Sequence, residues 1–217
     1  MRITNKSRHT WSRALRVAAV LAMVLLAARA EPQAERRMEL DPSRGSLWIQ
    51  GDSTLHVFSS TASGLQGWLQ LRDPQTGPVI TALECTVPAG ELRSGDAKLD
   101  RNMRRHLGAE TFPLISFKVA EALPLSTSGG ELQLRGPMAI NGVEREELVN
   151  AKVSVSQEEA RFSGTQVLRM SDYGIKPPVM MLGALKTKNE IQVHFDVFFH
   201  TLEPPVQLNS TRKEPSP

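Results

Sequence analysis

The stretch Gly51 to Ser60, GDSTLHVFSS, holds the three side-chain types of a hydrolase triad within five residues. These are Asp52, Ser53 and His56. A triad needs its carboxylate, imidazole and hydroxyl about 3 Å apart in turn. In an extended strand Asp52 and His56 lie roughly 13 Å apart, and Ser53 points to the opposite face. We therefore interpret the stretch as one β-strand preceded by a bend at Gly51, and not as a catalytic centre.

The histidines do not predict a metal site. His194 and His200 lie on the outer face of one predicted strand, roughly 20 Å apart, so they cannot share an ion. His106 falls near the end of a predicted helix, where the helix dipole favours a cation. The sequence has no H-x-H, C-x-x-C, H-E-x-x-H or G-x-S-x-G pattern. It therefore predicts no catalytic residue, no metal site and no cofactor, and we expect a protein that is not an enzyme.

A single cysteine, Cys85, excludes an internal disulfide. It lies between Leu83 and Val87 at strand spacing, which predicts a buried structural thiol. The apolar core must then supply the stability of the domain.

The first thirty residues have the pattern of a secretory signal peptide. Basic residues without any acid precede an apolar run, Val17 to Ala28, and the small residues Ala28-Arg29-Ala30 follow it. We expect cleavage near Ala30 and a periplasmic or secreted protein. The alternative is an uncleaved N-terminal anchor.

Cleavage would change the charge of the chain. Residues 1–30 contain six of the 26 basic residues and none of the 23 acids, so the remaining chain carries a net charge of −3. No basic surface for nucleic acid is expected after this removal. Beyond the domain, predicted over 39–201, the Pro-rich residues 202–217 are expected to form a disordered tail.

Alternation of apolar and polar residues with a period of two dominates the predicted domain. In EIQVHFDVFF, apolar residues occupy every second position from Ile191 to Phe199. One polar and one apolar face is typical of antiparallel sheet, and Asn141-Gly142 predicts a two-residue hairpin. We expect an all-β fold of about eight strands, either a closed barrel or a sandwich. Five further segments alternate in the same way: GLQGWLQL, LISFKV, LQLRGPMAI, AKVSV and RFSGTQVLRM.

One segment, SGDAKLDRNMRRHLG, instead predicts a short helix. Ser94 or Asp96 can cap its start and Gly108 can end it. Leu99, Met103 and Leu107 recur at every fourth position and form one apolar face. We expect this helix to lie on a sheet or across the mouth of a barrel.

Four stretches together resemble the YceI-like domain, a polyisoprenoid-binding family with a lipocalin-like antiparallel barrel. They follow one another in the family's order and span nearly the whole predicted domain. The most distinctive is the second, in which a helix precedes an aromatic-Pro-x-Ile-x-Phe strand. The stretches are LDPSRGSLWIQGDSTLHVF, LDRNMRRHLGAETFPLISFKV, LRGPMAINGVEREELV and RMSDYGIKPPVMMLGALKTKNEIQVHFDVFF.

The resemblance implies an exported carrier that holds an isoprenoid or quinone-type chain, or a related apolar lipid, inside the barrel. The alternative is a protective or protein-interaction module whose barrel is filled by its own side chains. On the carrier hypothesis the inward faces form the cavity wall. The candidate ligand-binding residues are Phe117, Met138, Ile140, Phe162, Leu168, Met170, Met180, Met181, Val193 and Phe195.

The Met-rich segment 177–185 is predicted to be a loop, because Pro177-Pro178 precedes Met180-Met181. Methionine adapts to irregular apolar surfaces. The loop either plugs the end of the barrel or forms a lid that contacts a membrane transiently. Lys186 and Lys188 follow it, either as a solvated face or as a cationic rim.

Overall fold

A computed structural model describes residues 35–72, 77–120, 123–125, 129–180 and 185–201. The predicted signal peptide and C-terminal tail lie outside these residues. The described part contains twelve β-strands and one α-helix, α1 (Ala97–His106). The strands are β1 (Glu35–Ser53), β2 (Val57–Ala62), β3 (Gln66–Arg72), β4 (Val79–Pro88), β5 (Leu92–Arg93), β6 (Leu114–Val119), β7 (Leu123–Pro124), β8 (Gly130–Ile140), β9 (Val143–Val155), β10 (Glu159–Arg169), β11 (Val179–Met180) and β12 (Leu185–Thr201).

Eight strands close into an antiparallel barrel. Around the ring the order is β1-β3-β4-β6-β8-β9-β10-β12, and pairing of β12 with β1 completes it. The predicted all-β barrel with one short helix is confirmed, and the sandwich alternative is wrong. Closure gives each of the eight strands a partner on both sides, so none of them is an edge strand of the ring.

The long strand β1 changes partners along its length. Glu35 to Glu39 pair with β3, whereas Trp48 to Asp52 pair with β2. Along its other edge, β1 pairs with β12 with a register shift between Leu40 and Gly45. Gly45 has φ +99°, and a Cβ there would lie 2.3 Å from the carbonyl oxygen of Asp196. Only glycine fits this bulge, which lets one strand serve two neighbours.

The predicted Asn141-Gly142 hairpin connects β8 and β9. Ile140 pairs with Val143, and the two turn residues have φ of 53° and 74°. Positive φ at both central positions is the backbone that the Asn-Gly dipeptide favours. This turn lies at the same end of the barrel as α1.

The two ends of the barrel differ. We call the end where β1, β4, β8 and β10 finish the open end, and the end where they begin the closed end. Side chains fill the barrel near the closed end, where the inward faces of the strands meet in one cluster. Six residues of this cluster have no exposed surface: Met38, Leu69, Leu71, Ile80, Ala160 and Phe199.

Helix α1 lies at the open end and begins at a side-chain cap. The backbone N–H groups of Lys98 and Leu99 donate to Asp96 Oδ1 at 2.7 and 3.0 Å. Asp96 is therefore the cap, and Ser94 instead donates through its hydroxyl to Asp100 at 2.6 Å. The helix ends before Gly108, as predicted, where φ is 58°. None of the helices among the described residues has the length and apolar character to cross a membrane.

Candidate functional site

A cavity of about 300 Å³ occupies the open half of the barrel. Strands β1, β4, β6, β8, β10 and β12 all contribute to its wall, and α1 lies across it. Phe162 and Phe199 form its floor, with ring centroids 5.6 Å apart and planes at 78°. Below this edge-to-face pair lies the filled core of the closed end. The barrel is therefore hollow in one half and filled in the other.

Eight of the ten candidate binding residues lie on this cavity: Phe117, Met138, Ile140, Phe162, Leu168, Met170, Val193 and Phe195. Met180 belongs to β11, but its side chain and the whole of Met181 lie outside the described residues. The placement follows from the alternation in each strand, since every second residue points inward. That these residues bind a ligand stays a prediction.

Helix α1 supplies a part of the wall that was not among the candidate residues. Leu99, Met103 and Leu107 line the cavity, and Met103 and Leu107 also pack against the inward faces of the barrel strands. Their spacing of four predicted one apolar face, but the spacing alone does not say what that face covers.

Tyr173 is a second wall residue that sequence reasoning missed. It lies in the turn after β10, is almost fully buried and donates its hydroxyl to Glu147 Oε1 at 2.8 Å. Burial, followed by the carboxylate of Glu147, raises the pKa of Tyr173. The sequence feature that could have identified Tyr173 is its place in the Ser-Asp-Tyr-Gly-Ile motif, which is part of the resemblance to the YceI-like domain.

The stretch that contains Asp52, Ser53 and His56 is not one strand, and that interpretation was wrong. Strand β1 continues through Ser53, the chain turns, and β2 begins at Val57. The Ser53 hydroxyl closes the turn, because it donates to the carbonyl oxygen of His56 at 2.7 Å and accepts from the His56 N–H at 3.2 Å. The Ser53 hydroxyl is thus committed to the backbone of His56, and this geometry supports no triad.

The expected bend at Gly51 is also wrong, since Gly51 lies inside β1. Its missing side chain makes room for the ring of Phe58 across the hairpin, because a Cβ would lie 2.3 Å from that ring. Asp52 forms an ion pair with Lys188, and this partner holds the pKa of the Asp52 carboxyl below its usual range.

Three elements surround the mouth of the cavity: α1, the hairpin β1–β2, and the hairpin β11–β12. The two hairpins are joined, since the N–H of Thr54 donates to the carbonyl oxygen of Lys186 at 3.0 Å. The segment 177–185 was predicted to be a loop, yet Val179 pairs with Lys186 in its described part. Residues 181–184, and with them most of the predicted lid, lie outside the described residues.

Several polar side chains lie at the mouth of the cavity, and others lie along its wall, among them Gln166 opposite Val193. His56, Asn102, His106, Arg169 and Thr187 are among the residues that line it. His106 donates through Nδ1 to the carbonyl oxygen of Asn102 at 2.8 Å, as suits a residue in the last turn of α1. No Asp or Glu among the described residues lines the cavity, and none of their His, Cys, Asp and Glu side chains form a group of three suited to a metal ion.

Cys85 lies on the cavity wall and is partly rather than fully buried. Burial, followed by the neighbouring Glu84, raises the pKa of the Cys85 thiol to about 12. At neutral pH this residue is a protonated, weakly polar part of an apolar wall.

The sequence model of the YceI-like domain matches residues 38–199 of this chain. The chain belongs to the YceI-like domain family. The match covers every strand of the barrel except the first three residues of β1 and the last two of β12. A search of curated proteins finds no similar sequence.

Solved structures share the fold of this YceI-like domain. A polyisoprenoid-binding domain from Saccharophagus degradans, implicated in plant cell wall breakdown, has a TM-score of 0.60 at 13% identity, covering 76% of this chain and 98% of that one. BcnA of Burkholderia cenocepacia has a TM-score of 0.59 at 14% identity, covering 73% and 98%. The YCEI protein of Campylobacter jejuni has a TM-score of 0.52 at 12% identity, covering 66% and 85%. At these identities the likeness concerns the fold.

Proposed function

We propose that this YceI-like domain binds the chain of an apolar lipid, of isoprenoid or quinone type, in the cavity of its open half. The observation that carries the proposal is the cavity itself. It is open at one end, closed at the other by Phe162 and Phe199, and lined along its depth by aliphatic, aromatic and Met side chains. The polyisoprenoid-binding domain with the same fold supports this class of ligand.

The energetics suit a flexible hydrocarbon chain. Such a ligand gains mainly from apolar area removed from water, about 25 cal/mol per Å². It needs few directed polar contacts, and the deep wall offers few. At about 300 Å³ the cavity is at the lower end of the range of ligand pockets. We infer that it encloses one end of a chain rather than a long polyisoprenoid.

The position of the polar residues sets the orientation of the ligand. His56, His106 and Arg169 lie at the mouth, whereas the floor is aromatic. We infer that the hydrocarbon enters first and that a polar or anionic head group stays at the mouth. The signal-peptide pattern of residues 1–30 supports a carrier that works in the periplasm or outside the cell.

The direct test is to identify what the purified protein holds. Native mass spectrometry and organic extraction are expected to reveal a co-purifying apolar lipid, bound one per chain. Protein freed of lipid should then take up an offered prenyl alcohol or quinone. Protein that carries no lipid and takes up neither compound would refute the proposal.

Two variants on β12 test whether the lipid binds inside the cavity. Val193→Trp fills the cavity and is expected to abolish binding. Gln192→Trp adds the same side chain on the exposed outer face of the same strand, and it should bind as the unmodified protein does. Equal binding by both variants would place the lipid outside the cavity.

A further inference from the structure

We propose that the open end of the barrel docks on an anionic lipid bilayer, with the outer face of α1 against the lipid headgroups. This inference rests on the proposed function for its purpose, since it brings the mouth of the cavity to the source of an insoluble ligand. Docking itself depends on the charge and the exposed apolar surface of the open end, and it can be measured without following lipid uptake.

Helix α1 has two faces of opposite character. Leu99, Met103 and Leu107 face the cavity. Lys98, Arg101 and Arg105 occur at i, i+3 and i+7, on the opposite side of the helix, and all three are exposed. Within the described residues none of these three forms an ion pair. The outer face therefore presents three cations over the end of the barrel, and the one side-chain bond that they form with described residues is that of Arg105 to the amide oxygen of Asn102, at 3.2 Å.

The acids in and next to the first turn of this helix are held by local hydrogen bonds. Asp96 caps the first turn of α1. Asp100 is buried and accepts from both the N–H and the hydroxyl of Ser94, at 2.7 and 2.6 Å. On the strands beside the mouth, Asp52 pairs with Lys188. Asp96 and Asp100 keep their negative charge, but the four cations of α1 outnumber them, so the helix has a net positive charge: Lys98, Arg101, Arg104 and Arg105.

Exposed apolar side chains collect at the same end. The structure gives seven large hydrophobic residues with much exposed surface, and five of them lie at the open end: Leu55, Val57, Phe112, Leu114 and Val179. Leu55 and Val179 are 66% and 59% exposed, and they sit on the two joined hairpins. The other two, Leu148 and Val167, lie on the outer wall. None of the described residues at the closed end belongs to this group.

Two further cations flank these apolar tips. Lys176 and Lys186 are exposed, and neither forms an ion pair with another described residue. Apolar side chains that project beside lysine and arginine match the interface of an anionic membrane, with hydrocarbon inside and phosphate outside. An acidic protein would match the cations but would leave Leu55 and Val179 without a hydrocarbon to enter.

The test is hydrogen exchange with vesicles of phosphatidylcholine alone and with vesicles containing 30% phosphatidylglycerol. With the anionic vesicles we expect slower exchange in residues 97–106 and 53–58, and no change in the strands of the closed end. High salt should reverse the protection, because exposed charges are screened. Hydrogen exchange is measured separately for each segment. Binding of vesicles to another part of the chain would therefore not slow exchange in residues 97–106 and 53–58.

Charge-matched variants decide which cations act. Arg101→Glu with Arg105→Glu is expected to weaken vesicle binding at least tenfold. Arg135→Glu with Lys152→Glu makes the same change of charge at exposed positions on β8 and β9, and binding should be retained. Leu55→Glu should weaken binding, and Leu148→Glu should not.

Three results would overturn the proposal. They are no protection with anionic vesicles, equal loss of binding in both charge variants, and capture of an acidic protein by α1 while vesicles are ignored. Lipid uptake by the same variants, measured by native mass spectrometry without vesicles, separates this failure from failure of the proposed function. Loss of docking with uptake intact concerns only the membrane surface.

Discussion

The closed and open halves of this barrel are built from the same strands, yet one is filled by side chains and the other encloses a cavity. Along β1 the inward side chain of Met38 is fully buried among its neighbours, whereas Leu47 borders the cavity. Along β12 Phe199 is the floor and Val193 is the wall. The same alternation of apolar residues thus gives a filled core at one end and a cavity at the other. We infer that the closed half supplies most of the stability, and that the open half is free to be hollow.

The largest expected effect is a difference in stability between two leucines. Leu69 has no exposed surface and lies below the floor, so Leu69→Ala should lower the free energy of unfolding by about 2–5 kcal/mol. Leu47 already borders open space. Because less packing is lost there, Leu47→Ala should cost about 1–2 kcal/mol. Unfolding in urea measures both values.

Binding should show the reverse order for the same pair. Leu47→Ala changes the cavity wall and is expected to weaken or alter lipid uptake, whereas Leu69→Ala, assayed where it is still folded, should leave uptake unchanged. Equal losses of stability together with equal losses of uptake would show that the two halves are not separate.

The rate at which Cys85 is alkylated reports how far water reaches the cavity wall of the open half. Only the thiolate reacts with iodoacetamide. Burial raises the pKa of Cys85 to about 12, so at pH 8 its reaction should be about 10³-fold slower than that of an ordinary thiol. Mass spectrometry of alkylation, with denatured protein as the reference, gives the ratio. Bound lipid should slow the reaction further, and a native rate close to the denatured one would mean that water fills the cavity.

The alternation predicted the strands and much of the wall, because burial of one face imposes a period of two. It left a barrel and a sandwich open, and the resemblance to the YceI-like domain selected the barrel. Every second residue from Ile191 to Phe199 lines the cavity, as the alternation indicated. Whether the barrel was hollow could not be predicted. That depends on whether the inward side chains, from strands distant in the sequence, together fill the volume that the strands enclose. The hollow half also depends on α1, whose apolar face could be predicted but not the space that it covers.

The hairpin at Ser53 could not be predicted from the sequence for a different reason. Its turn lacks the Gly or Asn that usually marks a hairpin, and its alternation continues from β1 into β2. The turn is closed instead by the Ser53 hydroxyl, which bonds two backbone groups of His56. A local hydrogen bond of this kind does not change the alternation of apolar and polar residues, so the turn cannot be recognised from that pattern. The residues that seemed to carry chemistry therefore mark the mouth of the cavity.

The smallest expected effect is a loss of helix α1 in acid, at a pH where the strands of the closed end stay folded. Hydrogen bonds from the backbone of Leu99 and Lys98 hold the pKa of Asp96 below its usual range, and bonds from Ser94 do the same for Asp100. A lowered pKa in the folded state means that this stabilisation is complete above the unfolded value of about 3.9. It is lost as pH falls through the lowered pKa. NMR shifts of α1 should therefore move toward coil values in strongly acidic solution, before those of the closed-end strands.

A substitution at the cap can isolate this titration. Asn is as good a helix cap as Asp but has no charge to lose. Asp96→Asn should therefore keep α1 formed at neutral pH and remove the contribution of Asp96 to the acid transition, whereas Asp96→Ala should weaken the helix at every pH. If the helix shifts of Asp96→Asn follow the same acid transition as the unmodified protein, the cap is not what holds α1 over the mouth. The bonds from Ser94 to Asp100 would then be the stronger tie, and Asp100→Asn would be the variant that abolishes the transition.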